Sequence, residues 1–151
     1  MHRRLLAVLT LVSCLAAVAQ GQSHADYAGG TVQGIGTGKG GSIDLSDSNY
    51  FAFYSKKSNL RVPYAQINLV EYGQQVGRRL ALAIVISPLF LMSKSRKHFL
   101  TVGYTDEDGR QQALVFRVDK GNIRTTLVSL EARTGLKIQF QDEEARKAGK
   151  G

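Results

Sequence analysis

Short runs of alternating apolar and polar residues dominate residues 31–118. The runs are rich in Val, Ile, Phe, Tyr and Leu, and turn-forming Gly, Asn, Asp and Ser residues separate them. Because successive side chains of a strand point to opposite faces, this pattern predicts a series of short strands. The expected fold class is mainly β: a curled antiparallel sheet or a partly open barrel of about 6–8 strands.

The clearest strand pair is HFLTVGYTDEDGRQQALVFRV, where Asp108-Gly109 supplies a tight turn. The alternating apolar residues are Leu100, Val102 and Tyr104 on the first arm, and Leu114, Phe116 and Val118 on the second. GSIDLS and NYFAFYS are predicted as a second strand pair. In NLRVPYAQINLVEYG, one strand is expected to end near Val62 and another to cover residues 66–72. Pro63 cannot donate a ladder hydrogen bond, so it is expected at an edge or a bend.

The period of the pattern changes near the carboxyl end. In NIRTTLVSLEARTG, Ile123, Leu127 and Leu130 recur at helical spacing, Asn122 suits the N-cap and Gly135 suits the end of a helix. This predicts one amphipathic helix at about residues 122–134 that closes the open end of the sheet. LKIQF is expected to follow as an edge strand. The charged residues 141–151 are expected to form a flexible tail.

At the amino end, the pattern is that of a secretory signal peptide. A His-Arg-Arg stretch precedes the apolar run LLAVLTLVSCLAAVA, which ends in an Ala-Val-Ala cleavage site. Residues 1–19 are therefore expected to be removed and residues 20–30 to form a polar linker. An uncleaved membrane anchor or buried helix stays open as an alternative, and so does lipidation at Cys14, where Leu-Val-Ser-Cys resembles a lipobox.

With this helix and these strands, residues 31–135 resemble the pleckstrin-homology-like superfold, in particular its small bacterial and GRAM-type members. The resemblance rests on the segments LRVPYAQINLVEYG, KHFLTVGYTDEDG and IRTTLVSLEARTG. The corresponding domain is expected at residues 31–140. Domains of this kind bind phospholipid head groups or peptides and are not enzymes, so the resemblance implies a binding function. The glycine-rich start, the strand after the helix and a long apolar insertion depart from the family pattern.

Few side chains in this chain could do chemistry. Cys14 is the one cysteine, so cleavage would leave no thiol for a disulfide, for catalysis or for a metal. His98 stands alone in the predicted β domain, the acidic clusters lack the spacing of a calcium loop, and there is no GxSxG elbow. We therefore expect no catalytic residue, no metal and no cofactor.

The glycine-rich stretch GIGTGKGG, residues 34–41, contains the dinucleotide fingerprint GxGxxG. That fingerprint requires a helix directly after it, whereas SIDLSDSNYFAFYS is a strand pattern. The phosphate-loop motif fails as well, because Gly40 stands where Ser or Thr should follow Lys39. No nucleotide is predicted.

The segment GRRLALAIVISPLFLMSKSRKH is the most unusual part of the chain. Residues 80–92 contain one polar residue, Ser87, and there is no acidic residue in residues 72–105. The candidate contact residues are Arg78, Arg79, Leu89, Phe90, Leu91, Met92, Lys94, Arg96 and Lys97. A run of thirteen residues is too short for a membrane-spanning helix.

Three interpretations of this segment compete. In the first, residues 80–86 form a doubly buried strand, Ser87-Pro88 a turn, and residues 89–92 part of a neighbouring strand. In the second, apolar side chains enter a membrane surface while the flanking cations meet anionic head groups. In the third, the segment is a protein-protein contact, because exposed apolar surface rarely persists without a partner.

The basic balance of the chain favours an anionic partner. The net charge is +8, and it falls to +6 if cleavage removes Arg3 and Arg4. The sequence thus predicts an exported, non-enzymatic binding module that associates with an anionic membrane surface or another anionic ligand through residues 78–98. The alternative is a scaffold or subunit of an envelope protein complex that uses the same segment, and an enzyme ranks below both. Nucleic acid is not an expected partner, because the basic residues are not interleaved with exposed aromatic ones.

Overall fold

The computed structural model describes residues 21–74, 84–92 and 97–150. The signal peptide predicted at residues 1–19 and the alternative lipidation site Cys14 lie outside these residues. Within them, the strands are β1 (Gln22–Gly30), β2 (Gly38–Asp44), β3 (Tyr50–Tyr54), β4 (Asn59–Pro63), β5 (Ile67–Gly73), β6 (Val85–Ile86), β7 (Phe99–Thr105), β8 (Gln111–Val118) and β9 (Gln139–Phe140). The helices are α1 (Pro88–Leu91), α2 (Ile123–Thr134), α3 (Glu143–Lys150) and a 3-10 helix at Tyr64–Gln66.

All the described strands belong to one sheet, which confirms the mainly β class. The strand order is β4-β3-β2-β1-β8-β7-β5-β9, and β6 pairs with β1 beside this path. The sheet is not closed into a barrel, because β4 and β9 form its two edges. Pro63 ends the edge strand β4, as its missing N–H predicted. The predicted strand in LKIQF is reduced to Gln139–Phe140, and it pairs with β5 in parallel, which makes the sheet mixed.

Strand β1 lies in the middle of the sheet, so the prediction of a linker at residues 20–30 is wrong for this stretch. It pairs with β2 and β8, and its last residues also pair with β6. Ala25 and Ala28 are fully buried. Gly29 has φ +152°, and a Cβ atom there would lie 2.0 Å from the carbonyl oxygen of Val85. The small residues therefore allow β6 to approach β1 closely, a role that their composition alone does not distinguish from that of a linker.

The main core lies on one face of the sheet, beneath α2. The alternating residues of β7 and β8 all belong to it, as predicted: Leu100, Val102, Tyr104, Leu114, Phe116 and Val118. From α2, Ile123, Leu127 and Leu130 are buried in the same cluster. Gly135 ends this helix at φ +71°, in the left-handed conformation expected of a C-terminal glycine. Asn122 occupies the N-cap position, although its side chain makes no capping hydrogen bond.

The carboxyl-terminal residues form helix α3, which corrects the prediction of a flexible tail at residues 141–151. The Asp142 Oδ1 atom accepts a hydrogen bond of 2.6 Å from the Ala145 N–H and so caps the helix. Ala145 is fully buried, and Gly149 packs so closely on the Phe140 ring that a Cβ atom there would lie 2.6 Å from it. The helix is therefore part of the folded domain, which extends to residue 150.

A second, smaller cluster covers the opposite face of the sheet. Its buried members are Ala28, Phe90, Phe99 and Val115, and Ile84 and Ile86 pack against it. Val115 lies between Leu114 and Phe116 in β8, and alternation therefore directs its side chain away from the main core. Because this cluster includes Phe90, it fixes the position of the apolar segment on the sheet.

Candidate functional site

The apolar segment is attached to the sheet through backbone hydrogen bonds and one aromatic side chain. Strand β6 pairs with the end of β1, and the Ser87 N–H donates a hydrogen bond of 3.0 Å to the Ala28 carbonyl oxygen. Pro88 begins α1, where its missing N–H costs no helical hydrogen bond. Phe90 is 2% exposed, so its expected role as a surface contact is wrong. Its ring instead holds the segment against the sheet.

Around Phe90, four other apolar side chains of the segment are exposed, whereas Ile84 and Ile86 are partly buried. The exposed fractions are 76% for Val85, 55% for Leu89, 62% for Leu91 and 83% for Met92. We call these four residues the apolar patch. Three of them are predicted contact residues, and the fourth, Val85, lies in the two-residue strand β6, which pairs with the end of β1. The helical form of residues 88–91 corrects the interpretation in which residues 89–92 belong to a strand.

Four of the predicted basic contacts, Arg78, Arg79, Lys94 and Arg96, lie outside the described residues. The fifth, Lys97, is described, and its position differs from the prediction: the residue is 8% exposed. It lies directly before β7 and lines a cavity that is separate from the apolar patch.

A partly buried ion pair, Arg117 with Asp26, lies next to Phe90. The Arg117 guanidinium lies 5.9 Å from the centre of the Phe90 ring, and its Nη2 atom is 2.5 Å from the Asp26 Oδ2 atom. The Asp26 Oδ1 atom also accepts a hydrogen bond of 2.8 Å from the Gly40 N–H. Since Asp26 is 1% exposed, these donors supply the compensation that a buried carboxylate needs.

The cavity that Lys97 lines has a volume of about 760 Å³ and lies where β8 ends and β7 begins. Five cationic and two anionic side chains contribute to its wall. The cations are Lys97, Arg117, Lys120, Arg124 and Lys147, and the anions are Asp119 and Glu144. The rest of the wall includes Gln74 and His98. We call this space the basic cavity. Its residues come from the β7 and β8 ends, the loop before α2, α2 itself and α3.

His98 is held in the wall of the basic cavity by Tyr72. The Tyr72 phenolic oxygen is 2.5 Å from the His98 Nδ1 atom, and the two rings are parallel within 4°. Burial raises the pKa of the Tyr72 phenol, with the Asp142 carboxylate adding to the shift, so the phenol is protonated at neutral pH. Burial lowers the pKa of His98, and the positive charge of Lys120 lowers it further. We therefore assign the phenol as the donor, the Nδ1 atom as the acceptor and the imidazole proton to Nε2.

Lys97 is the least exposed cation of the basic cavity. Burial lowers the pKa of its ammonium group, and repulsion from Arg117 and Lys39 acts in the same direction. Among the described residues it has no hydrogen-bond or ion-pair partner. An anion in the cavity would relieve both the burial cost and the repulsion.

The described residues contain no group of three histidine, cysteine or carboxylate side chains placed to hold a metal ion. None of the described helices is both long enough and apolar enough to span a membrane. The chain matches no protein-family model and no curated protein sequence.

The sequence prediction missed the basic cavity because its residues are far apart in the chain. Tyr72 and His98 are 26 positions apart, and Lys147 belongs to a helix that was predicted as a tail. One local signal was present: Lys97 lies two positions before Phe99, so both side chains are expected on the same face of an extended chain. That parity predicts the Lys97 side chain on the same face as the buried Phe99, although residue 97 itself lies just before β7.

Proposed function

We propose that this protein is an exported, non-enzymatic module that associates with anionic membrane surfaces through the apolar patch. The observation that carries the proposal is the exposure of Leu89, Leu91 and Met92 around a buried Phe90. A firmly anchored segment that keeps large apolar side chains in solvent is typical of a surface with a partner.

The energetics favour a shallow contact with the interface of a bilayer. Transfer of apolar surface from water contributes about 25 cal/mol per Å². Arg78, Arg79, Lys94 and Arg96 flank the patch in sequence, and a cation near an anionic surface contributes about 1 kcal/mol. Neither contribution alone gives stable attachment, whereas together they favour membranes that carry negative charge.

Two features of the sequence support the remaining parts of the proposal. The amino-terminal pattern is that of a secretory signal, which supports export to the periplasm or the cell exterior. The resemblance to pleckstrin-homology-like domains implies lipid or peptide binding without catalysis. Because a fold does not determine a function, the resemblance adds to the exposed patch and does not replace it.

Co-sedimentation with lipid vesicles tests the proposal. We expect recovery with vesicles that contain phosphatidylglycerol, little recovery with pure phosphatidylcholine, and a decrease as salt screens the charges. Leu89→Asp should weaken the association strongly. The matched control is Val128→Asp, since Val128 is also a solvent-facing apolar residue, 65% exposed, but lies on α2.

Charge reversal provides a second comparison in the same assay. Arg96→Glu should lower recovery with anionic vesicles, whereas Lys56→Glu, an equal charge change in the turn between β3 and β4, should have a smaller effect. Equal recovery with neutral and anionic vesicles would refute the electrostatic contribution. No recovery with either would refute membrane association.

A subunit of an envelope protein complex is the second candidate, because the same exposed patch also fits a protein interface. Where the protein interface joins two copies of this chain, light scattering distinguishes it from a membrane contact. A stable oligomer that Leu89→Asp dissociates would favour the protein interface. A monomer that sediments with anionic vesicles would favour the membrane.

A further inference from the structure

The basic cavity carries more positive charge than its own carboxylates compensate. Arg117 is paired with Asp26, and Asp119 lies 3.0 Å from the His24 Nδ1 atom. The other cations of the wall, Lys97, Lys120, Arg124 and Lys147, have no ion-pair partner within 4.0 Å among the described residues. Like charges that converge on one space destabilise the fold unless an anion occupies that space.

Lys97 is the observation that points to a ligand and not to a solvated basic surface. A lysine is seldom as little exposed as Lys97, which is 8% exposed and lines the cavity. Its ammonium group is not among the buried polar atoms without a partner, so it keeps access to the cavity, and no described carboxylate lies within 4.0 Å of it. Lys120, Arg124 and Lys147 are exposed, so they can adjust to a ligand, while Lys97 has much less free surface.

His98 adds a neutral donor with a fixed direction. Since the Tyr72 phenol donates to the Nδ1 atom, the Nε2–H group is the donor that this ring can offer to a ligand. A neutral imidazole donor beside the exposed cations can orient a bound anion, and it adds no positive charge to the repulsion among those cations. The donors of the wall therefore come from several directions around one space.

We propose that the basic cavity is a binding site for a phosphate group that belongs to a small molecule or to a head group. Donors that converge from β7, β8, α2 and α3 suit a tetrahedral oxyanion, whose oxygens point in different directions. A planar carboxylate is better matched by a single fork of donors. A volume of about 760 Å³ accommodates a phosphate together with the group that carries it. This site is separate from the apolar patch, so either proposal can fail while the other stands.

Isothermal titration of the purified protein with pyrophosphate tests the site. We expect one saturable site per chain. Lys97→Gln should weaken binding about tenfold, because one charge-assisted hydrogen bond is lost. Arg124→Gln is the second variant, and its exposed position should leave folding intact. The matched control is Lys56→Gln, the same change at an exposed lysine outside the cavity, which should leave the affinity unchanged.

Two further ligands identify the source and the chemistry of the anion. Dihexanoyl phosphatidic acid, a soluble phosphate ester, should compete with pyrophosphate if the site accepts a phosphate from either source. Binding of the ester alone would assign a lipid head group, and binding of pyrophosphate alone would assign a soluble phosphate compound. Citrate should bind more weakly than pyrophosphate. Absence of binding to both phosphate ligands, equal weakening by Lys56→Gln, or citrate binding at least as tight as that of pyrophosphate would overturn the proposal.

Discussion

Tyr72, which precedes the unusual apolar segment, and His98, its last residue, meet in a hydrogen bond of 2.5 Å between the phenolic oxygen and Nδ1. Tyr72 is fully buried, and His98 faces the basic cavity with Lys97, Arg117, Asp119, Lys120, Arg124, Glu144 and Lys147. The pair therefore connects the core beneath α2 to the charged wall, and it makes the stability of the fold sensitive to pH.

The stability of the protein should fall when the pH drops below neutrality. Burial depresses the pKa of His98 below its ordinary value of 6.5, so the unfolded chain takes up a proton that the folded chain resists. The free energy of unfolding is then constant near neutral pH, decreases below pH 6.5 and levels off below the pKa of the folded state. Urea unfolding at a series of pH values measures this, and His98→Gln should flatten the profile. A profile of the wild-type protein that is already flat between pH 5 and pH 7 would contradict the assignment.

Alkaline pH should destabilise the fold through Tyr27. Burial raises the pKa of its phenol to about 12, with repulsion from Tyr104 as the smaller cause. The unfolded chain ionises near pH 10, so the loss of stability begins there and reaches at most about 3 kcal/mol near pH 12. Tyr27→Phe should reduce this loss.

The same variant tests a buried hydroxyl group at neutral pH. The Tyr27 hydroxyl is buried and has no hydrogen-bond partner among the described residues. Removal of an unpaired buried hydroxyl costs no hydrogen bond, so Tyr27→Phe should leave the free energy of unfolding at pH 7 unchanged or slightly higher. A loss of more than about 1 kcal/mol would show that the hydroxyl has a partner.

Asp142→Ala should destabilise the fold by about 1 kcal/mol, because it removes the side-chain cap of α3. Glu107→Ala is the control, since Glu107 is an exposed carboxylate in the turn between β7 and β8 and should change stability by less than about 0.5 kcal/mol. Chemical unfolding measures both. If the two variants are equally stable, α3 does not contribute to the folded domain.

Gly29→Ala should destabilise the fold by about 2 kcal/mol or more, because a Cβ atom there would collide with the Val85 carbonyl oxygen in a backbone conformation that favours glycine. Gly38→Ala is the matched control: no atom lies within 4 Å of a Cβ at that position. Thermal unfolding measures the stability of the Gly29→Ala and Gly38→Ala proteins. A Gly29→Ala protein as stable as the control would show that β6 does not pack on β1 in this way.

The sequence was sufficient for elements whose signals are local. The β7 and β8 strands and α2 were predicted because alternation, the Asp108-Gly109 turn and Gly135 all lie within the elements themselves. β1 was missed because Ala25, Ala28 and Gly29 are small residues that become a strand only through pairing with distant segments. α3 was missed although Asp142 and the acidic first turn were visible N-terminal signals.

The candidate site was predicted only in part for the same physical reason. Exposure of Leu89, Leu91 and Met92 belongs to two of the three interpretations that the sequence leaves open, while burial of Phe90 depends on a pocket formed by β1, β7 and β8. Lys97 is predicted as a surface contact because it is one of the cations that flank the apolar run, and a lysine is seldom buried. Its low exposure also depends on how the ends of β7 and β8 meet, which the alternation with Phe99 alone does not encode.

A single-tryptophan experiment tests the membrane contact most directly, since the chain contains no tryptophan. Met92→Trp introduces a probe into the apolar patch, and Val128→Trp introduces the same probe into an exposed site on α2. We predict that anionic vesicles shift the fluorescence emission of the Met92→Trp protein to shorter wavelength and leave that of the Val128→Trp protein unchanged. No shift at position 92, or an equal shift at both positions, would contradict insertion of the patch into the membrane surface.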